Sequence, residues 1–299
     1  MASTQYNATA KVPDITKLVT NISPSDTPLF SLMGTAAPAS QVLHTWEEET
    51  LRAPAANAQL EGFTYNTQEI EEDELKSNVT QIFYAGYNIS DTNKAVKRQN
   101  ITDVLAHKMQ KAMKEVALDI ENAIITQDKK VTGSKTVARK MGGLPFFIKS
   151  NVLGNKGTKR AFTYALLNDA IEQVFGCGGS PDVIVASGRN KRILSNLLPL
   201  STERSQNSTS KKVVNTIDVF EGDFGTQRVV TNRWMDNDRV YVLSSEYLKK
   251  SYLRPIHKID LAKKGSATEK AIEGELTIEV RAEKSSAVIT DLNGLLPTA

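Results

Sequence analysis

From Asn100 to Lys130 apolar residues recur at three- and four-residue intervals. Leu105, Met109, Ala112, Met113, Val116, Ala117, Ile120, Ala123 and Ile124 fall on one face, the period of an amphipathic helix. Asp103 in the first turn, Lys129 and Lys130 after the last, and Gly133 beyond them suit the helix dipole and a stop. The pattern predicts a helix over about 101–129, roughly 40 Å long at about 1.5 Å per residue. Lys108, Lys111, Lys114, Glu115, Asp119, Glu121 and Asn122 are expected on its outer side.

Upstream, Val42, His44 and Trp46, then Val79, Phe83, Ala85, Tyr87 and Ile89, alternate as in strands. Between them, Glu47 to Ser77 holds Glu47-Glu48-Glu49, Pro54, Gly62 and the run Glu69 to Glu74, with few anchors for a core. So long a polar interval is expected to project from the body as a hairpin or loop. Residues 1–40 carry only short apolar patches, at Ile15, Leu18, Val19 and Ile22 and at Leu29 to Met33, and read as an arm that needs another surface or, equally, as a frayed terminus.

Downstream, Val131 to Arg160 reads as a connector with one short strand around Leu144-Pro145-Phe146-Phe147-Ile148. Tyr164 to Phe175 is expected to form a helix burying Leu166, Leu167, Ala170, Ile171 and Val174, stopped by Gly176 to Gly179. A strand at Asp182 to Ala186 and a helix at Arg189 to Leu198 follow, then a polar loop from Ser201 to Lys212. Strands are predicted at Val213 to Phe220, Arg228 to Asn232, Arg239 to Leu243 and Ala287 to Leu292. Another places Leu276, Ile278, Val280 and Ala282 on one side and Thr277, Glu279, Arg281 and Glu283 on the other. The class is α+β.

Charge changes the picture more than composition does. The net charge of +3 hides twelve acids against seven bases in the first hundred residues, leaving about +8 for the remainder, a distribution that suits copies packing head to tail and equally suits two differently solvated surfaces. The single cysteine, Cys177, excludes an internal disulfide framework and a multi-cysteine metal site. No run of roughly eighteen apolar residues exists, and the opening residues have neither a basic region nor an apolar core. Neither a membrane span nor secretion is expected.

Candidate chemistry is thin. The strand, Gly188 and helix at Val183 to Leu197 resemble a phosphate-holding turn, but no phosphate-loop or dinucleotide glycine pattern accompanies them, and Gly133-Ser134-Lys135-Thr136 lacks the upstream glycine. His44, His107 and His257, placed on a strand, on the long helix and in a basic loop, share no ligand spacing, and Cys177 has no histidine brought near by sequence. The acids at 69–74 lack a calcium-loop frame. Basic groups at Lys156, Lys159 and Arg160, at Arg189, Lys191 and Arg192, at Lys211 and Lys212, and at Lys249, Lys250 and Arg254 are dispersed. They read as mostly solvated surface, offering at most weak contact with phosphates. No catalytic, cofactor-binding or metal-ligating residue is expected.

The order of arm, projecting loop, long helix, inserted α/β unit and returning strands resembles the major capsid protein of tailed bacteriophages, the Hong Kong 97 type fold. Ile22 to Gly34, His44-Thr45-Trp46 with Glu49-Thr50-Leu51, and Asn57 to Gly62 resemble the opening of one group of phage head proteins. Tyr252 to Pro255, Leu261 to Gly265 and Glu275 to Leu292 resemble its ending. The resemblance implies an N-terminal arm at 1–40, an extended loop with flanking strands at 41–90, and a peripheral domain with the spine helix at 91–160. It implies an axial domain at 161–250 and, at 251–299, strands returning to the peripheral domain. It further implies a non-enzymatic subunit that assembles in the host bacterial cytoplasm, through hexamers and pentamers, into the icosahedral head of the virion. Portal and scaffolding proteins and weakly contacted packaged double-stranded DNA are the implied partners. An encapsulin-like compartment shell is the alternative within the fold, and a soluble α/β nucleotide-binding enzyme the alternative outside it.

Overall fold

The computed structural model describes residues 26–49, 54–65, 74–96, 103–197, 219–263 and 265–295. In chain order the helices are α1 (Pro28–Leu32), α2 (Asp91–Ala95), α3 (Val104–Thr126), α4 (Leu144–Phe147), α5 (Tyr164–Gly176) and α6 (Gly188–Leu197). The early strands are β1 (Gly34–Thr35), β2 (Leu43–Glu48), β3 (Glu74–Val79), β4 (Gln81–Ser90) and β5 (Val152–Leu153). They are followed by β6 (Val183–Ala186), β7 (Val219–Gly222), β8 (Gly225–Thr231) and β9 (Val240–Leu243). The last are β10 (Leu248–Asp260), β11 (Ala267–Val280) and β12 (Ala287–Ile289).

Three sheets result: β1-β10-β11-β4, β5-β12-β9-β6-β8-β7, and the pair β2-β3. The described chain divides into two compact units, one of Tyr84–Val116 and Ile256–Glu273, the other of Asp26–Phe83, Ala117–Pro255 and Gly274 onward.

In the first unit, α3 starts where Asp103 accepts from the Leu105 and Ala106 amides at 2.9 and 3.1 Å, an N-cap. Ser90 caps α2 in the same way through the Asn93 amide. Asp91 ties this corner together: its amide donates to the Ser266 carbonyl, and its carboxylate meets Lys263 at 2.5 Å and Thr268 Oγ1 at 3.3 Å. The hydrogen bond from Lys263 holds the Asp91 carboxyl below the usual range. Tyr87 donates to the Glu115 carboxylate; burial first, and that carboxylate second, push the phenol up to about 12.

In the second unit the six-stranded sheet carries the core. Ile184, Ala186, Val229, Val240, Val242, Ala287 and Ile289 pack with Phe162, Leu167, Ile171 and Val174. The five α5 residues expected to be buried are all buried. β12 joins this sheet antiparallel to β9, and β5 flanks it in parallel, so residues 287–289 share a sheet with 183–186.

Several expectations change. Helix α3 is shorter than 101–129, and Met113, expected on its apolar face, is 47% exposed. Glu121, expected outside, is fully buried. The apolar island 144–148 is a helical turn rather than a strand: Gly143 caps it, Pro145 suits its first turn, and the connector's short strand is β5. Val219–Gly222 is strand, while Val213 to Asp218 and the loop Ser201 to Lys212 lie outside the described residues. β10 was not anticipated; it takes in Lys249, Lys250, Arg254 and His257, the last expected in a loop. Thr277 and Glu279, expected on a solvent face, are buried, and Ala282 ends the run at φ 52° instead of continuing it.

Candidate assembly elements

Two elements leave the second unit, and each has a polar anchor at its root. The first is the β2-β3 hairpin, in register from Leu43 opposite Val79 to Glu48 opposite Glu74. Trp46 is buried and its ring lies 5.7 Å from the Phe147 ring, tilted at 47°, and Phe147 meets Phe146 edge-on at 4.9 Å. The short helix α4 is therefore the seat of the hairpin. Gly142 and Gly143 allow it to lie there: a Cβ on Gly142 would strike the Phe146 ring, and one on Gly143 would lie 2.6–2.9 Å from the carbonyls of Ala123, Ile124 and Gln127.

Polar bonds complete the seat. Asn78 is buried and fully used, donating to the Gly142 and Ile278 carbonyls and accepting from the Val79 and Gly142 amides. Lys130 donates to the Ser77 carbonyl and hydroxyl. His44 Nε2 lies 2.7 Å from the buried Glu279, whose other oxygen takes both Arg281 donors at 2.7 and 2.8 Å. Glu275, 4% exposed, binds Arg139 at 2.6 Å, Thr80 at 2.7 Å and Arg254 at 3.1 Å. A buried carboxylate is tolerable when cations and hydrogen bonds satisfy it in this way.

Beyond the seat, residues 54–65 are all exposed. A turn closes from Leu60 to Phe63 with Gly62 at φ 82°, and Phe63 and Tyr65 rings meet at 5.1 Å. Leu60 and Tyr65 are 84% and 86% exposed. Nothing within the described chain covers them. Five residues of the acidic run, 69–73, lie outside the described residues; Glu74 begins β3.

The second element is the root of the N-terminal arm. Gly34 and Thr35 pair in parallel with Lys249 and Lys250 of β10. Lys250 caps the Phe30 carbonyl at 2.8 Å and lies 4.2 Å from the Phe30 ring centre, and burial lowers its pKa. Asp26 meets Arg233 Nε at 3.0 Å, and its carbonyl accepts from Trp234 Nε1. Glu121 accepts from the Leu29 and Phe30 amides and from Asn232. Residues 1–25 lie outside the described residues.

The other candidates resolve into structure. Ser187 caps α6 through the Asn190 amide and donates to Asn237 Oδ1, and Asn190 bonds the Asn237 and Arg239 carbonyls. The strand-glycine-helix turn is thus closed by its own chain. Cys177 is exposed at the end of α5, and Gly178 follows at φ 84°. Lys159 approaches Asp238 at 3.8 Å, and Arg160 donates to the Leu153 carbonyl. Arg254 and Lys250, read as surface, serve the two roots. Among the described residues no group of three or more His, Cys, Asp or Glu is placed to hold a metal ion. No described helix is long and apolar enough to cross a membrane.

Sequence reasoning missed Glu121, Glu275 and Glu279. For Glu121 a signal was present: Ile124 and Ile125 follow at the third and fourth positions, both buried, which widens the apolar arc to include it. For Glu275 and Glu279 the cationic partners are scattered along the chain, and no spacing points to them.

A closed α/β core joined to a coreless hairpin and an anchored arm defines a structural subunit that builds a shell from copies of itself, with the Hong Kong 97 type fold. The chain belongs to the SU10 major capsid protein family, whose profile matches residues 2–293; it is a major capsid protein of a tailed phage. It is 24% identical to the major capsid protein of Escherichia phage Phieco32, over 95% of each chain. Among solved structures it is similar to the Cyanophage A-1(L) capsid asymmetric unit, with TM-score 0.68 and 13% identity over 94% of this chain and 97% of that one. It is also similar to the holo-SrpI encapsulin complex of Synechococcus elongatus PCC 7942, with TM-score 0.60 and 10% identity over 98% and 95%. These structural likenesses share the fold.

Proposed function

We propose that copies of this chain close into hexamers and pentamers and then into an icosahedral head around double-stranded DNA, assembled in the host bacterial cytoplasm. The observation that carries this reading is the hairpin: a root of buried carboxylates met by arginines and of packed aromatic rings supports a tip whose apolar residues are bare. A root so firmly built under a tip that packs on nothing has a purpose if the tip lies on a neighbour.

In this reading 1–40 is the arm, 41–90 the extended loop, 91–160 the peripheral domain with its spine helix, 161–250 the axial domain, and 251–299 the return. Within that return, β12 pairs with β9, so the returning chain also adds a strand to the sheet that holds β6. Portal and scaffolding proteins are the partners at assembly. Packaged DNA is met by weak, salt-sensitive contacts from the basic remainder of the chain. The chain carries no catalytic role.

The test is particle mass by light scattering across a dilution series, with negative-stain images of the heavy fraction and scaffold supplied. Rings of five and six or closed shells support the proposal. A monomer at every concentration overturns it, and shells filled with protein cargo instead of DNA would favour the compartment reading.

A further inference from the structure

Glu121 is fully exposed to no solvent, yet no cation faces it among the described residues. All three of its partners are donors. Oε1 accepts from the Leu29 amide at 3.0 Å and Asn232 Nδ2 at 2.6 Å, and Oε2 accepts from the Phe30 amide at 2.7 Å. An ionised carboxylate suits this acceptor-only setting; a protonated carboxyl or an amide does not, because one of its two heads is then a donor facing a donor. Asn232 is held in turn by the Trp234 amide on its Oδ1. The charged groups around the cluster are the Asp26–Arg233 pair on one side and Lys250 at the Phe30 carbonyl on the other.

We propose that Glu121 is the positioning residue of the arm root, fixing Leu29 and Phe30 against α3 and Asn232 so that the chain before Asp26 leaves at a set point for its contact with a neighbouring copy. This rests on the assembly reading above. Burial, only partly offset by the three hydrogen bonds, raises the pKa of Glu121, so the closed root holds a proton on Glu121 more readily than an open one would, and mild acid does not open it. The ionised form costs the folded state stability at neutral pH, and that cost fades as pH falls. The role of Glu121 is therefore read from what its two oxygens hold, by amide exchange at 27–33, and not from acid opening.

The experiment is hydrogen exchange by mass spectrometry on the full chain, corrected for intrinsic rates, following a peptide over 27–33 against a control over 166–174. Wild type, Glu121→Gln and Arg233→Ala are compared from neutral to mildly acidic pH, with particle yield measured alongside. At neutral pH E121Q is expected to exchange at least tenfold faster at 27–33 with the control unchanged, and to lose at least tenfold in particle yield. Wild type and R233A are expected to stay protected at 27–33 from neutral to mildly acidic pH, whereas E121Q exchanges faster throughout. Wild-type protection in E121Q, or a loss of protection at 27–33 in R233A as large as that in E121Q, overturns the proposal. If E121Q is insoluble, Glu121→Asp, which keeps the charge but draws the oxygens back from the Leu29 and Phe30 amides, is followed instead, and wild-type protection at 27–33 in it overturns the proposal. Should wild type form no particles at all, the assembly reading fails, while the exchange data still judge the arm root.

Discussion

The six-stranded sheet and the β2-β3 hairpin belong to the same compact unit, yet they are held by opposite means. The sheet is sealed by apolar side chains of its own helices: Ile184 and Val242 lie against Leu167 and Ile171 with no exposure to solvent worth measuring. The hairpin has one buried aromatic, Trp46, and otherwise depends on Asn78, His44, Glu48 and Lys130 bonding to loops and strand ends. The first region buys its shape from hydrophobic burial. The second takes a direction from polar contacts and leaves its apolar surface unspent, as a subunit whose remaining contacts are with other copies should.

Substitutions can break this contrast, and the core change should be the most severe. Ile184→Asp places an unpaired charge in the central strand of the sheet, a cost of at least about 4 kcal/mol; loss of soluble protein is expected, and a well-folded variant by circular dichroism would refute the core assignment. Trp46→Ala removes the packing on Phe147 and should cost about 3 kcal/mol, read as a lower denaturant midpoint and faster exchange in β2 and β3. Glu275→Gln leaves Arg139 and Arg254 facing an amide. Both arginines are partly exposed, so the expected loss is about 2 kcal/mol, below the range for a fully buried pair. An unchanged midpoint there would mean that the ion triad contributes nothing to the root.

The contrast also explains what could be read in the chain. Helix α5 was legible residue by residue, because its partners lie on one side and the 3.6-residue period records them. β10 was not. Lys249, Lys250, Arg254, Pro255, His257 and Lys258 carry no alternation, and its hydrogen-bond partners are β1, over two hundred residues away in sequence, and β11. β11 was half legible: the row Leu276, Ile278, Val280 was correct, but its other row is buried too, by Arg139, Arg254, Arg281 and His44 reaching Glu275 and Glu279. Periodicity reports which positions avoid water only when those positions are apolar. The hairpin was legible through a deficit, a long interval with too few core residues. Its seat at Phe146 and Phe147 was not, since a five-residue apolar island has no period to distinguish strand from helix.

The smallest effect on the subunit itself is expected where the hairpin is cut beyond its root. Removing 48–76 outright would take Glu48, Lys76 and the outer strand pairs, and with them the bond from the Ala282 amide to Glu48. Replacing only 50–72 with an Asn-Gly turn keeps both strands in register and matches their twist. The removed residues in the described part of the tip are exposed throughout, so little burial is lost, and a shorter loop recovers closure entropy. The denaturant midpoint should stay within about 1 kcal/mol of wild type, while particle yield falls to background. A large destabilisation would show that the tip packs on its own subunit, and shells formed at the normal yield would show that the bare Leu60, Phe63 and Tyr65 are not what joins one copy to the next.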